Sequence, residues 1–164
     1  MPLLIELTTS PTQDAHRLIE AIETELSGDY SAHQRHGYSA RRVFQPNIAF
    51  FIARLDGEAV GCGGVAFEDG FAEVKRMYVR PANRGTGIGQ AILARLEQEA
   101  RARGVRRLVL ETGDVLHAAI RMYQAAGFTR CDAFGRYATM PPASIARSVF
   151  LEKRLDQSQT HPRS

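Results

Sequence analysis

The sequence predicts an α/β (α+β) fold in a single domain, and three observations carry that expectation. Two strand-type apolar runs are joined by Leu55-Asp56-Gly57-Glu58, and a third follows Asp69-Gly70. Asp-Gly between such runs is the strongest short-range hairpin signal, so an antiparallel meander is expected. After Pro81 the apolar spacing changes from a strand's period to a helix's, with Arg84-Gly85-Thr86-Gly87-Ile88-Gly89 at the changeover. The length, 164 residues, suits one sizeable core.

The elements follow in order. Pro2 to Thr8 reads as a first strand. Ser10 is the expected N-cap of a first helix, with Pro11 in its first turn. Leu18, Ile19, Ile22 and Leu26 keep helical spacing, and Gly28 stops the run. Residues 30–45 are polar and carry no assignable period. Ile48–Ala53, Ala59–Phe67 and Phe71–Val79 form the meander. Ile88, Ala91, Ile92, Leu93, Leu96 and Ala100 mark one face of a helix reaching about Arg103, with Gly104 just past its end. Val105–Glu111 is a strand, Val115–Ala126 a helix closed by Gly127, and Ser148–Leu155 a last strand. The domain is expected over residues 1–157, with 158–164 a frayed tail.

Composition narrows the function classes. The net charge of +3 is mild and suits an anionic ligand. Arginines are spread along the chain instead of clustered, which argues against nucleic acid. The two cysteines, Cys62 and Cys131, lie far apart with no metal-ligand spacing, so no metal is expected. No apolar run approaches a membrane span, and the first residues lack the pattern of a signal peptide. A cytoplasmic protein without a membrane partner is the expectation.

The glycine stretch is a candidate anion site. The first amides of a helix have no internal acceptor, the helix dipole adds positive charge, and glycines let an anion approach the backbone. Arg80 and Arg84 could add charged contacts. A Walker loop is ruled out because no Lys-Ser/Thr pair follows. The dinucleotide fingerprint also fits poorly: its third glycine is due at position 90, which is Gln90, and a meander precedes the loop.

Arg84-Gly85-Thr86-Gly87-Ile88-Gly89 matches Q/R-x-x-G-x-G/A, the central motif of the GCN5-related N-acetyltransferases (GNAT). The preceding FAEVKRMYVRPANRG resembles that family's fourth strand and its loop. ETGDVLHAAIRMYQAAGF, residues 111–128, resembles its next motif, a strand end and a helix closed by Gly-Phe. The resemblance is specific over 71–128 and weak over 1–45 and 129–145. It implies a mixed, mostly antiparallel sheet of about six to seven strands, helices on both faces, and fourth and fifth strands that splay apart. It implies acetyl-CoA as cosubstrate, with Arg84, Gly85, Thr86, Gly87, Ile88, Gly89 and Gln90 cradling the pyrophosphate. It also implies that Met77, Tyr78 and Val79 pair with the pantetheine arm like an added strand. A bulge in the fourth strand could part the two strands.

Acetyl transfer to an amine needs a proton acceptor, because an alkylamine is largely protonated at neutral pH. Strand alternation sets Phe71, Glu73, Lys75, Met77 and Val79 on one face, and Glu73 is the first-choice base, as the resemblance also implies. A surface pairing of Glu73 with Lys75 is the competing reading, and Glu111 is the second carboxylate. The departing thiolate needs a donor. Ala119-Ile-Arg-Met-Tyr123-Gln-Ala-Ala-Gly127-Phe128 matches A-x-x-x-Y-x-x-x-G-F, which implies the Tyr123 hydroxyl, and Tyr78 is the lesser candidate. Neither cysteine has an evident base, so direct attack in a ternary complex is expected. The expected acceptor is the primary amine of a small molecule, an amino acid or polyamine-like compound. A protein lysine or N-terminus stays open, as do a non-catalytic acyl-CoA-binding module and a homodimer. Arg35, Arg41, Arg42, Arg76 and Arg136 could clamp an acid group on the acceptor, with Tyr30, Tyr38 and Tyr137 lining its pocket.

Overall fold

A computed structural model describes residues 2–37, 39 and 41–155. The expected C-terminal tail and Tyr38 lie outside them. Seven strands form one mixed sheet in the order β1-β2-β3-β4-β5-β7-β6. The strands are β1 (Leu3–Thr8), β2 (Ile48–Leu55), β3 (Glu58–Glu68), β4 (Phe71–Val79), β5 (Arg107–Gly113), β6 (Thr129–Arg130) and β7 (Ser148–Arg154). The helices are α1 (Gln13–Leu26), α2 (Ile88–Ala102), α3 (His117–Ala125) and the short α4 (Pro142–Ile145).

The meander forms as its turns predict. Asp56 and Gly57 both take positive φ, 52° and 83°, and Leu55 pairs directly with Glu58. Two positive-φ residues in a two-residue loop match the twist of the flanking strands. The N-cap of α1 is Thr12, whose hydroxyl accepts from the Ala15 amide at 3.2 Å, and not Ser10. Ser10 and Pro11 stand in the turn before it, because a residue preceding proline is pushed out of helical conformation. β5 and α3 both start two residues later than their periodicity suggests.

Helices cover both faces. α2 and α3 bury Ile92, Leu93, Leu96 and Tyr123 against Phe51, Val65, Val74 and Leu110. On the other face α1 lays Leu18, Ile19 and Ile22 on Phe50, Ile52, Cys62 and Tyr78. A smaller cluster of Val109, Phe134, Tyr137 and Phe150 closes the β5–β7 end.

The site arises from one irregularity. β4 runs parallel to β5 but pairs with it only at Ala72, Glu73 and Val74. Beyond Val74 the strands part. Opposite β3 the register slips between Cys62 and Gly64, so that Arg76 and Met77 together face Gly63. Arg76 sits at φ 55°, a left-handed conformation a bulge imposes and an arginine rarely takes. The bulge also reverses the alternation. Glu73 and Lys75 lie beside Tyr137, and Arg76 and Tyr78 beside α1, while Val74, Met77 and Val79 pack with the α2 side. The expected sharing of one face by Glu73, Met77 and Val79 is therefore corrected.

Candidate active site

A cleft of about 710 Å³ opens where β4 and β5 diverge. Met77, Tyr78 and Val79 form one wall, and Leu110 to Gly113 the other. Past the Val74–Leu110 pair neither strand is paired across the gap, so backbone groups of both strand edges border the cleft. Such edges accept an extended amide-bearing chain as an added strand.

At one end lies the glycine loop. A single 3-10 turn, Pro81–Asn83, leads into it. Gly85 and Gly87 take φ 77° and 87°, positions glycine occupies without strain, and Gly87 is the N-cap of α2. Arg84, Gly85, Gly87, Ile88, Gly89 and Gln90 all border the cleft. Thr86 does not; its hydroxyl donates to the Asn83 carbonyl at 2.6 Å and holds the turn. Gly89 is needed for packing, since a Cβ there would come within 2.9 Å of Met122 Sδ. Arg84 braces the loop: its Nε donates to the Val79 carbonyl at 2.7 Å and its Nη2 to both oxygens of Glu25 at 2.9 Å. Arg80 turns away, its Nε donating to the Ala59 carbonyl at 3.0 Å.

Tyr123 enters from α3. It is 6% exposed and borders the cleft, yet among the described residues its hydroxyl makes no hydrogen bond. Burial, then the nearby Glu111 carboxylate, push its pKa up, so the hydroxyl keeps its proton.

The two carboxylates take different places. Glu73 is 2% exposed and does not border the cleft. Its Oε2 accepts from the Tyr137 hydroxyl at 2.7 Å and from Lys75 Nζ at 3.3 Å, and Arg136 Nη1 lies 3.5 Å from its Oε1. The reading in which Glu73 pairs Lys75 is what the geometry shows, though in the interior and not at the surface. Glu111 does border the cleft. Burial raises its pKa, against the opposing hydrogen bond from Ser148 Oγ at 2.6 Å and the charges of His36 and Lys75.

Residues 30–45 carry no readable period, and of the acceptor-site candidates there Tyr30 and Arg35 line the cleft, with Gln34, His36 and Gly37, beside Lys75 and Arg76. A capping box, Ser31 with Gln34, shapes this segment and was the one readable signal there. Lys75 Nζ and Arg136 Nη2 both donate to the His36 carbonyl, at 2.9 and 3.1 Å, and His36 Nε2 donates to the Ser144 carbonyl at 2.8 Å. Burial pushes the Lys75 pKa down to about 8 against the pull of Glu73. Tyr30 lines the cleft as expected, whereas Tyr137 lies beneath it at 1% exposure. Arg41 and Arg42 are exposed and do not border it.

Comparison with known proteins places this architecture. The model of the acetyltransferase (GNAT) family matches residues 13–128. The chain belongs to the GNAT family. It is 40% identical to an IAA acetyltransferase of Azospirillum brasilense over 158 residues, which cover 94% of this chain and all of that one. It is 32% identical over 128 residues to an aminoalkylphosphonate N-acetyltransferase of Salmonella typhimurium, covering 74% of this chain and 80% of that one. A crystal structure of a candidate acyl-CoA N-acyltransferase from Klebsiella pneumoniae superposes with a TM-score of 0.76 at 33% identity, covering 94% of this chain and 98% of that one. A PaiA N-acetyltransferase from Thermoplasma acidophilum, solved with coenzyme A, shares the fold at a TM-score of 0.72 and 21% identity, covering 94% of this chain and all of that one. This GNAT chain is an acyl-CoA N-acyltransferase, and acetyl-CoA is the cosubstrate of its family. Among the described residues no group of three or more His, Cys, Asp and Glu could hold a metal, and no helix is long and apolar enough to cross a membrane.

Proposed function

We propose that this GNAT protein transfers the acetyl group of acetyl-CoA to the primary amine of a small molecule, by direct attack in a ternary complex. The observation that carries this is the Tyr123 hydroxyl, unpartnered at the cleft wall between the parted strands. In this reading the first amides of α2 and the Gly85–Gly87 turn hold the diphosphate, and the edge Met77–Val79 aligns the pantetheine arm. The thioester then points between β4 and β5.

Glu111 takes the amine's proton, directly or through a water. Its place in the cleft wall and its raised pKa support that role over the sequence-expected Glu73. The N–C bond forms as the C–S bond breaks. Tyr123 donates a hydrogen bond to the sulfur as negative charge develops there. Its raised pKa makes it a donor to the thiolate more than a source of its proton. Backbone amides on the unpaired β4 edge stabilise the carbonyl oxygen. The Salmonella relative is named for an amine of small size, which supports a small-molecule acceptor.

Incubation with acetyl-CoA and pooled small amines, following free thiol, tests the reading. Amine-dependent thiol release is expected. Coenzyme A binding without release for any amine would support the non-catalytic alternative.

A ping-pong route through cysteine finds no support. Cys62 is fully buried, its Sγ donates to the Arg76 carbonyl at 3.2 Å, and burial pushes its pKa up to about 12. Cys131 is partly exposed. A disulfide-exchange reagent at pH 8 is expected to titrate one thiol in the native protein and two after denaturation. Rapid native reaction of both would show that the Cys62 region opens.

A further inference from the structure

We propose, resting on that reading, that the acceptor amine carries an acid group, a carboxylate or phosphonate, and that Arg35 grips it. Arg35 stands on the cleft wall beside Gln34 and His36. Its Nη1 donates to Glu23 Oε1 at 2.8 Å, while the other oxygen of Glu23 is taken by Arg76 Nη2. One carboxylate is thus shared by two guanidinium groups, and that pairing holds a surplus positive charge.

Arg35 is also incompletely used. Its Nε is buried and has no hydrogen-bond partner. A buried donor without an acceptor carries the cost of its lost hydration. An oxyanion arriving at the Nε–Nη2 edge removes that cost and meets the planar fork in the bidentate arrangement guanidinium favours. The side chain as a whole is 21% exposed and borders the cleft, so a turn of the guanidinium would bring that edge to an incoming group.

The segment bearing Arg35 is pinned on both sides. The Ser31 amide donates to Gln34 Oε1 at 3.3 Å, and the His36 carbonyl is held by both Lys75 and Arg136. Arg35 is therefore presented from a fixed backbone, which limits the entropy lost on binding. Glu111, on the opposite strand, supplies the complementary charge. A zwitterion then enters in one sense only, ammonium toward Glu111 and oxyanion toward Arg35. A plain alkylamine leaves Arg35 Nε unsatisfied and has no such orientation.

The test is a panel of α- and β-amino acids and aminoalkylphosphonates, each beside a neutral counterpart, the carboxamide or alkylamine. Thiol release gives turnover, and heat on titration into the coenzyme A-loaded protein gives binding. Acid-bearing members are expected to exceed their neutral counterparts at least tenfold in kcat/KM, and the carboxylate and phosphonate arms show which acid is preferred. Arg35→Gln is expected to raise KM for those members at least tenfold. It should leave kcat within about threefold, and KM for acetyl-CoA and for neutral amines unchanged. Arg35→Lys should restore part of the loss, because the charge returns without the fork. Neutral amines used equally well by the native enzyme, an Arg35→Gln effect on acetyl-CoA instead, or no binding of any acid member would overturn the assignment. Arg35-dependent binding of acid members without turnover would sustain it and overturn the acetyl-transfer reading alone.

Discussion

Replacing Tyr123 with phenylalanine is expected to lower kcat by about 10²-fold, at the low end for a group that assists proton transfer. The change removes one oxygen and leaves the ring against Phe128, its edge-on partner at 5.9 Å between centroids. Because the hydroxyl makes no hydrogen bond among the described residues, no internal partner is orphaned. Stability should therefore hold or rise slightly, and coenzyme A affinity should not change. The loss falls on kcat because the sulfur carries charge only as the C–S bond breaks. Steady-state kinetics with coenzyme A titration separates these quantities. Acyl donors whose thiols are more acidic should recover part of the lost rate, since their thiolates need less help. Unchanged kcat in the Phe variant would remove Tyr123 from the chemistry.

The parts of this site that local chain chemistry dictates were legible beforehand. Glycines at 85 and 87 announce positive φ before a helix, and both angles are found. The Asp56-Gly57 turn announces the meander that delivers β4. Tyr123 came from the resemblance of residues 119–128 to a family motif, not from local chain chemistry, and it borders the cleft. What stayed hidden depends on register and on contacts between distant residues. Nothing in EVKRMYV marks Arg76 as left-handed, because the bulge is imposed by pairing with β3 and not by a glycine. The face reversal it causes put Met77 and Val79 on the wrong side. Glu73 and Glu111 look alike as strand carboxylates. Their difference comes from Tyr137 and Arg136, some 60 residues from Glu73, which lie in a stretch with no clear period. Residues 31–37 fold into a wall of the cleft through His36 and its carbonyl, contacts that no apolar spacing reports.

The two carboxylates separate cleanly by substitution. Glu111→Gln is expected to reduce kcat/KM by about 10²–10³-fold near neutral pH, within the range for a general base. Its pKa is raised by burial, so the free base is present only above that raised value, and kcat/KM should climb with pH through it. In Glu111→Gln that acidic limb should disappear, and Tm should change little because the amide still accepts from Ser148. His36 and Lys75 also face Glu111, and a limb that survives the substitution would remove Glu111 from the base's role. Glu73→Gln should behave in the opposite way. It leaves the buried Lys75 ammonium without its counter-charge, and breaking a buried pair costs about 3–5 kcal/mol. The result should be a clear fall in Tm, a looser His36 segment and a higher acceptor KM, with the acidic limb retained. Lys75 links these effects, since its Nζ holds both Glu73 and the His36 carbonyl. If Glu73→Gln abolished the limb while Glu111→Gln preserved it, the base would be Glu73 after all, reached only after Lys75 and Tyr137 give way.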